Sequence, residues 1–100
     1  MMTIKKTVDG STLVLALEGR LDTTTAPQLE NELKVSLYDT KALTLDMEKL
    51  EYLSSAGLRV LLAAQKQMQK QKAEMVVVNV NEIIMEVFEI TGFVDIITIK

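Results

Sequence analysis

A chain of 100 residues with 48% apolar and 25% charged side chains suits one ordinary globular domain, residues 1–100, with a single core and neither a disordered nor a fibrous composition. Its 11 basic and 14 acidic side chains leave a net charge of −3, so no field gathers nucleic acid or an anionic lipid surface, and neither is expected as a partner. The chain has no Cys and no His, which excludes disulfides, thiolate and imidazole metal sites and nearly every nucleophile–base pair; no enzyme activity, cofactor or metal site is expected.

Met1 to Lys6 carries charge without the apolar run of a signal peptide, and no stretch approaches the roughly 20 apolar residues of a membrane span, so a cytoplasmic protein is expected. Thr3–Val8 and Thr12–Glu18 read as strands joined by Asp9-Gly10-Ser11, an antiparallel hairpin. Both alternating faces of Leu13-Val14-Leu15-Ala16-Leu17 are apolar, which predicts a strand covered on both sides. After the polar loop Gly19 to Thr25, Pro27 suits a first helical turn, and Ala26, Leu29, Leu33 and Leu37 form one apolar stripe.

Leu43-Thr44-Leu45 reads as a short strand ending at Asp46, with Met47–Leu53 as a connector to a helix from about Ser55 to Lys72. Its apolar positions are Leu58, Leu61, Leu62 and Met68. The run Met75–Val78 predicts a buried parallel strand, and Asn79 or Asn81 can cap the next helix, whose stripe is Ile83, Ile84, Val87 and Phe88. Thr91-Gly92 stops that helix, and Phe93–Ile99 reads as the last strand. The order β-β-α-β-α-β-α-β predicts an α/β fold: a mixed, mostly parallel sheet with an N-terminal antiparallel hairpin and helices packed on the sheet.

Leu53-Ser54-Ser55-Ala56-Gly57-Leu58-Arg59 carries the chemistry. Two serines stand where a helix begins, followed by two small residues, so exposed hydroxyls and a backbone open to close approach are predicted. Either serine can serve as an N-cap, worth roughly 1 kcal/mol. A glycine in the first turn costs about as much against alanine, which points to something approaching there. Asp22 has two readings, as part of a binding surface and as a loop residue of which it or one of Thr23, Thr24 and Thr25 caps the first helix, and the two are compatible. Asp46, Glu48 and Glu51 form no ligand pattern, and the Lys66–Lys72 cluster reads as a wet helix face.

Gly19-Arg20-Leu21-Asp22 before an Ala-Pro helix, Asp46 after a strand, Leu53 to Arg59, and Thr91-Gly92-Phe93 together resemble the STAS domains, in particular the bacterial anti-sigma-factor antagonists, over essentially the whole chain. The resemblance implies a regulatory protein, not an enzyme. It implies binding to an anti-sigma factor that is also a serine kinase, release on phosphorylation, and resetting by a PP2C-type phosphatase. The family pattern Asp-Ser-(Ser/Ala/Thr)-Gly-Leu puts the phosphoserine at Ser55 and the partner-binding surface at Asp22, Thr23, Ser54, Ser55, Ala56, Gly57 and Leu58. Ser54 stands where the family has aspartate, which leaves open modification of Ser55, use of Ser54, or loss of the phosphate cycle. The alternative is a non-phosphorylated STAS subunit acting as an interaction module of a transporter or signalling scaffold. The sequence carries no signal of oligomeric state.

Overall fold

A computed structural model describes residues 1–100. The strands β1 (Met2–Asp9) and β2 (Thr12–Leu21) pair antiparallel around Gly10, whose φ of +62° is the turn conformation that glycine adopts without strain. Then follow α1 (Ala26–Ser36), β3 (Ala42–Leu53), α2 (Ser55–Lys70), β4 (Glu74–Val78), α3 (Glu82–Thr91) and β5 (Thr98–Ile99). The sheet order is β1-β2-β3-β4-β5, antiparallel at the first pair and parallel thereafter, as the element order requires. No helix is long and apolar enough to cross a membrane.

Each crossover from β2 onward advances one strand in the same direction, so right-handed connections lay all three helices over one sheet face. Burial follows that rule. Leu13, Leu15 and Leu17 of β2, Leu43, Leu45 and Met47 of β3, and Met75 and Val77 of β4 join the helix side chains in one cluster of 24 buried residues. On the opposite face Val14, Ala16, Thr44, Val76 and Val78 are only half-buried and lie outside that cluster. The expected two-sided cover of β2 is therefore corrected. Small and β-branched side chains suit a pleated surface whether or not a layer lies above them, so apolar character alone does not report burial.

Met47–Leu53 is the second correction, because the predicted connector is strand. The β2–β3 pairing slips twice: β3 advances from Asp46 to Lys49 while β2 moves from Ala16 to Glu18, and from Leu50 to Tyr52 while β2 moves from Gly19 to Arg20. Each slip is a bulge that adds one residue to β3. Buried residues then recur at Met47, Leu50 and Leu53, every third position, with exposed pairs between them. Strict alternation is lost, and with it the sequence signature of a strand.

At the C-terminus the expected strand Phe93–Ile99 is mostly a 3₁₀ turn, Phe93–Asp95, and only Thr98 and Ile99 pair with β4. Gly92, at φ +79°, ends α3 and turns the chain into the 3₁₀ segment, where Phe93 lies parallel to Phe88 with ring centroids 6.5 Å apart. Within α3 the predicted stripe is also trimmed: Ile84 and Phe88 are fully buried, Val87 is half-buried and Ile83 is 64% exposed. Ile84 and Phe88, four residues apart, share the face turned to the sheet, while Ile83, about 100° round the helix, lies on the solvent side of it.

Candidate functional site at the carboxyl ends of β2 and β3

Because β2 and β3 are parallel, their carboxyl ends lie side by side: Leu21 pairs with Leu53, and the Ser54 amide donates to the Leu21 carbonyl at 3.0 Å. This brings the Asp22–Thr25 loop beside the first turn of α2, at the end of a parallel sheet where binding sites usually form. Thr23 and Ala56 line one open cleft of about 250 Å³ with Pro27 and Arg59. The sheet register thus joins two segments more than 30 residues apart in the chain.

The Asp22 loop is tightly tied. Asp22 Oδ1 accepts from the Thr24 amide at 3.0 Å, the Thr24 hydroxyl at 2.8 Å and the Thr25 amide at 3.2 Å. The Thr25 hydroxyl donates to the Arg20 carbonyl at 2.7 Å and accepts from the Asp22 amide at 2.9 Å. These bonds, the Thr24 hydroxyl first, hold the Asp22 carboxyl below its ordinary value. Asp22 Oδ2 faces Arg20 Nε at 3.6 Å, and the Arg20 guanidinium lies 4.1 Å from the centre of the Tyr52 ring. Asp22 shapes its loop with one oxygen and faces Arg20 with the other; Thr23 is exposed.

The two serines part company. Ser55, the first residue of α2, is exposed. Ser54 has the extended backbone of an N-cap (φ −100°, ψ 174°), but its hydroxyl makes no capping bond and its Oγ is buried without a partner. The expected exposure of both hydroxyls is corrected at Ser54, and neither serine caps the helix. The first backbone acceptor in this turn is Ser54 O, taken by the Leu58 amide at 3.0 Å, so the amides of Ser55, Ala56 and Gly57 have no acceptor within the helix.

Gly57 and Leu58 face the core: both are buried, and Ala56 is half-buried. A Cβ on Gly57 would lie 2.6 Å from Leu21 Cγ and 2.8 Å from Leu53 Cδ1. The glycine lets the start of α2 press onto the ends of β2 and β3. Its cost in helix propensity is accounted for inside the molecule, which corrects the expectation of an outside approach. Of the predicted residues, Thr23 and Ala56 share one cleft, Asp22 and Ser55 lie in the loop and helix start that flank it, Ser54 Oγ is covered, and Gly57 and Leu58 are buried beneath.

Three neighbours escaped the sequence reading. Arg20 and Tyr52 meet only because a bulge shifts the β3 register, which no local pattern reveals. Arg59 could have been found, since it stands four residues after Ser55 on a helix.

The model of the STAS domain matches residues 3–100. The chain belongs to the STAS domain family. Among its relatives, this STAS domain is 39% identical over 90 residues to a Bordetella bronchiseptica protein named as the anti-sigma factor antagonist BtrV, covering 89% of this chain and 77% of that one. It is 35% identical over 85 residues to the anti-sigma-B factor antagonist of Listeria monocytogenes, covering 82% and 73%. The crystal structure of an anti-sigma factor antagonist from Mycobacterium paratuberculosis superposes with a TM-score of 0.89 at 25% identity, covering 99% of this chain and 85% of that one.

Proposed function

We propose that this STAS domain is an anti-sigma-factor antagonist that acts in the cytoplasm as ligand and substrate, not as catalyst. It binds an anti-sigma factor with serine-kinase activity through the edge formed by Thr23, Ser55 and Ala56, and phosphorylation of Ser55 ends the complex. The observation that carries the reading is the contrast between the serines: Ser55 presents its hydroxyl to solvent at a helix start, and Ser54 Oγ is covered.

In the transfer, Ser55 Oγ bonds to the γ-phosphorus of ATP, the bond from that phosphorus to ADP breaks, and the hydroxyl proton leaves to a base of the kinase. The phosphate adds roughly −1.5 to −2 charge. Unfilled amides and the positive end of the helix dipole tolerate it, so α2 stays folded. The charge acts outward instead, on whatever the partner places against this edge. A PP2C-type phosphatase restores the hydroxyl.

The test uses the full chain, a histidine-kinase-like anti-sigma factor and ATP, read by mass spectrometry and calorimetry. One phosphate is expected at Ser55, retained in Ser54→Ala, absent in Ser55→Ala, and accompanied by loss of affinity for the anti-sigma factor. Ser55→Asp weakens binding only in part, since one carboxylate carries less charge than a phosphate. Binding without any modification would favour the scaffold role, to which the serine at position 54 in place of the family aspartate lends support; no binding at all would sink the antagonist reading.

A further inference from the structure

The chain has two arginines, and they are used differently. Arg20 is engaged on both sides, by the Tyr52 ring and the Asp22 carboxylate. Arg59 is exposed and makes no ion pair and no side-chain hydrogen bond. Glu30 lines the same cleft as Arg59, yet its carboxylate pairs with Lys34 at 3.9 Å. An unpaired guanidinium therefore stands one helical turn from Ser55, and the two side chains rise from the same face of α2.

We propose that Arg59 is the internal receiver of the phosphate on Ser55, an inference that rests on Ser55 being the modified serine. Residues four apart on a helix are neighbours, separated by a rise of about 6 Å along the axis, a span that a phosphoserine and an arginine bridge. The planar guanidinium fork matches two phosphate oxygens at once, which a lysine ammonium cannot do. The free amides at the start of α2 lie on the other side of the same phosphate.

Two consequences follow for the switch. In the unmodified protein Arg59 is an unpaired cation one helical turn from Ser55, available to an acidic group of the partner. After phosphorylation the phosphate takes Arg59 for itself, so the edge gains an anion and loses a cation in one step. The pair also favours the fully ionised phosphate, which holds the released state through small changes in pH. Glu30 of α1 lines the cleft with Arg59, Asp22 lies in the adjoining loop, and each has a cation close by, Lys34 at 3.9 Å and Arg20 at 3.6 Å. Their charges oppose the effect without removing it.

The test places phosphoserine at position 55 during translation, so that no kinase is needed, and follows the phosphate by phosphorus NMR as a function of pH. In the otherwise unaltered chain the second ionisation should lie about half a pH unit below its value in Arg59→Gln. Arg59→Lys should keep part of that difference. Arg59 is exposed, so Arg59→Gln in the unphosphorylated protein should melt at the same temperature as the parent. Identical titrations of the parent and Arg59→Gln would overturn the assignment. Failure of the kinase to modify Ser55 would instead remove the phosphate switch from the proposed function and leave the titration standing.

Discussion

The starts of α2 and α3 follow neighbouring parallel strands, yet they are finished in opposite ways. At α3, Asn81 accepts from the Ile84 amide at 2.9 Å and donates through Nδ2 to the Leu50 carbonyl at 2.9 Å, while Glu82 places a negative charge in the first turn. At α2 no side chain caps, the first turn has no acidic residue, and the Ser54 hydroxyl is buried without a partner. The α3 start is satisfied by its own side chains and is structural. The α2 start is held by the fit of Gly57 against Leu21 and Leu53, which leaves its amides and the Ser55 hydroxyl free. Residues that position the site are thus separate from those that present its chemistry.

That division can be tested by breaking each start in turn. The largest effect is expected for Gly57→Ala, which forces a methyl group into the packed ends of β2 and β3. It should destabilise the protein by about 2 kcal/mol in urea denaturation, although helix propensity alone predicts a gain of roughly 1 kcal/mol. A gain would show that α2 is not held by this contact.

Asn81→Ala removes a working cap and should cost about 1 kcal/mol. The matched change at α2, Ser54→Ala, removes an oxygen that bonds to nothing. It should leave stability unchanged or raise it by up to about 1 kcal/mol. Equal losses from the two alanine variants would mean that both serve as caps and would erase the contrast.

The smallest effect concerns pH. Glu18 is held below its ordinary value of 4.5 by Lys5 and Lys49, and Asp22 below 3.8 chiefly by the Thr24 hydroxyl. A depressed carboxyl contributes stability that is fully present above its ordinary value and is lost as the pH falls through the lowered one. Melting temperature should therefore fall as the pH drops below about 4.5, and less steeply in the double variant Glu18→Gln, Asp22→Asn. Parallel curves for parent and variant would remove these two groups from the acid response.

Much of this molecule can be read from local pattern. The hairpin at Gly10, the α1 stripe Ala26, Leu29, Leu33 and Leu37, and the start of α2 at Ser55 all stand where periodicity and turn chemistry put them. Those features depend on residues within one or two turns of each other. The course of β3 past Asp46 was hidden because two bulges replace a period of two with a period of three. The burial of Ser54 Oγ was hidden too, since which of two adjacent hydroxyls is covered depends on the elements packed around the helix start and not on the serines themselves.

The sequence by itself determined the kind and order of the elements, the family signature, and the absence of any thiol or imidazole chemistry, because these follow from composition and short-range spacing. Only the tertiary structure decided that the Asp22 loop meets the start of α2, that Gly57 serves the core, and that Arg20 is occupied while Arg59 stays free. Those outcomes depend on strand register and on packing between segments distant in the chain, where a shift of one residue changes which side chains meet.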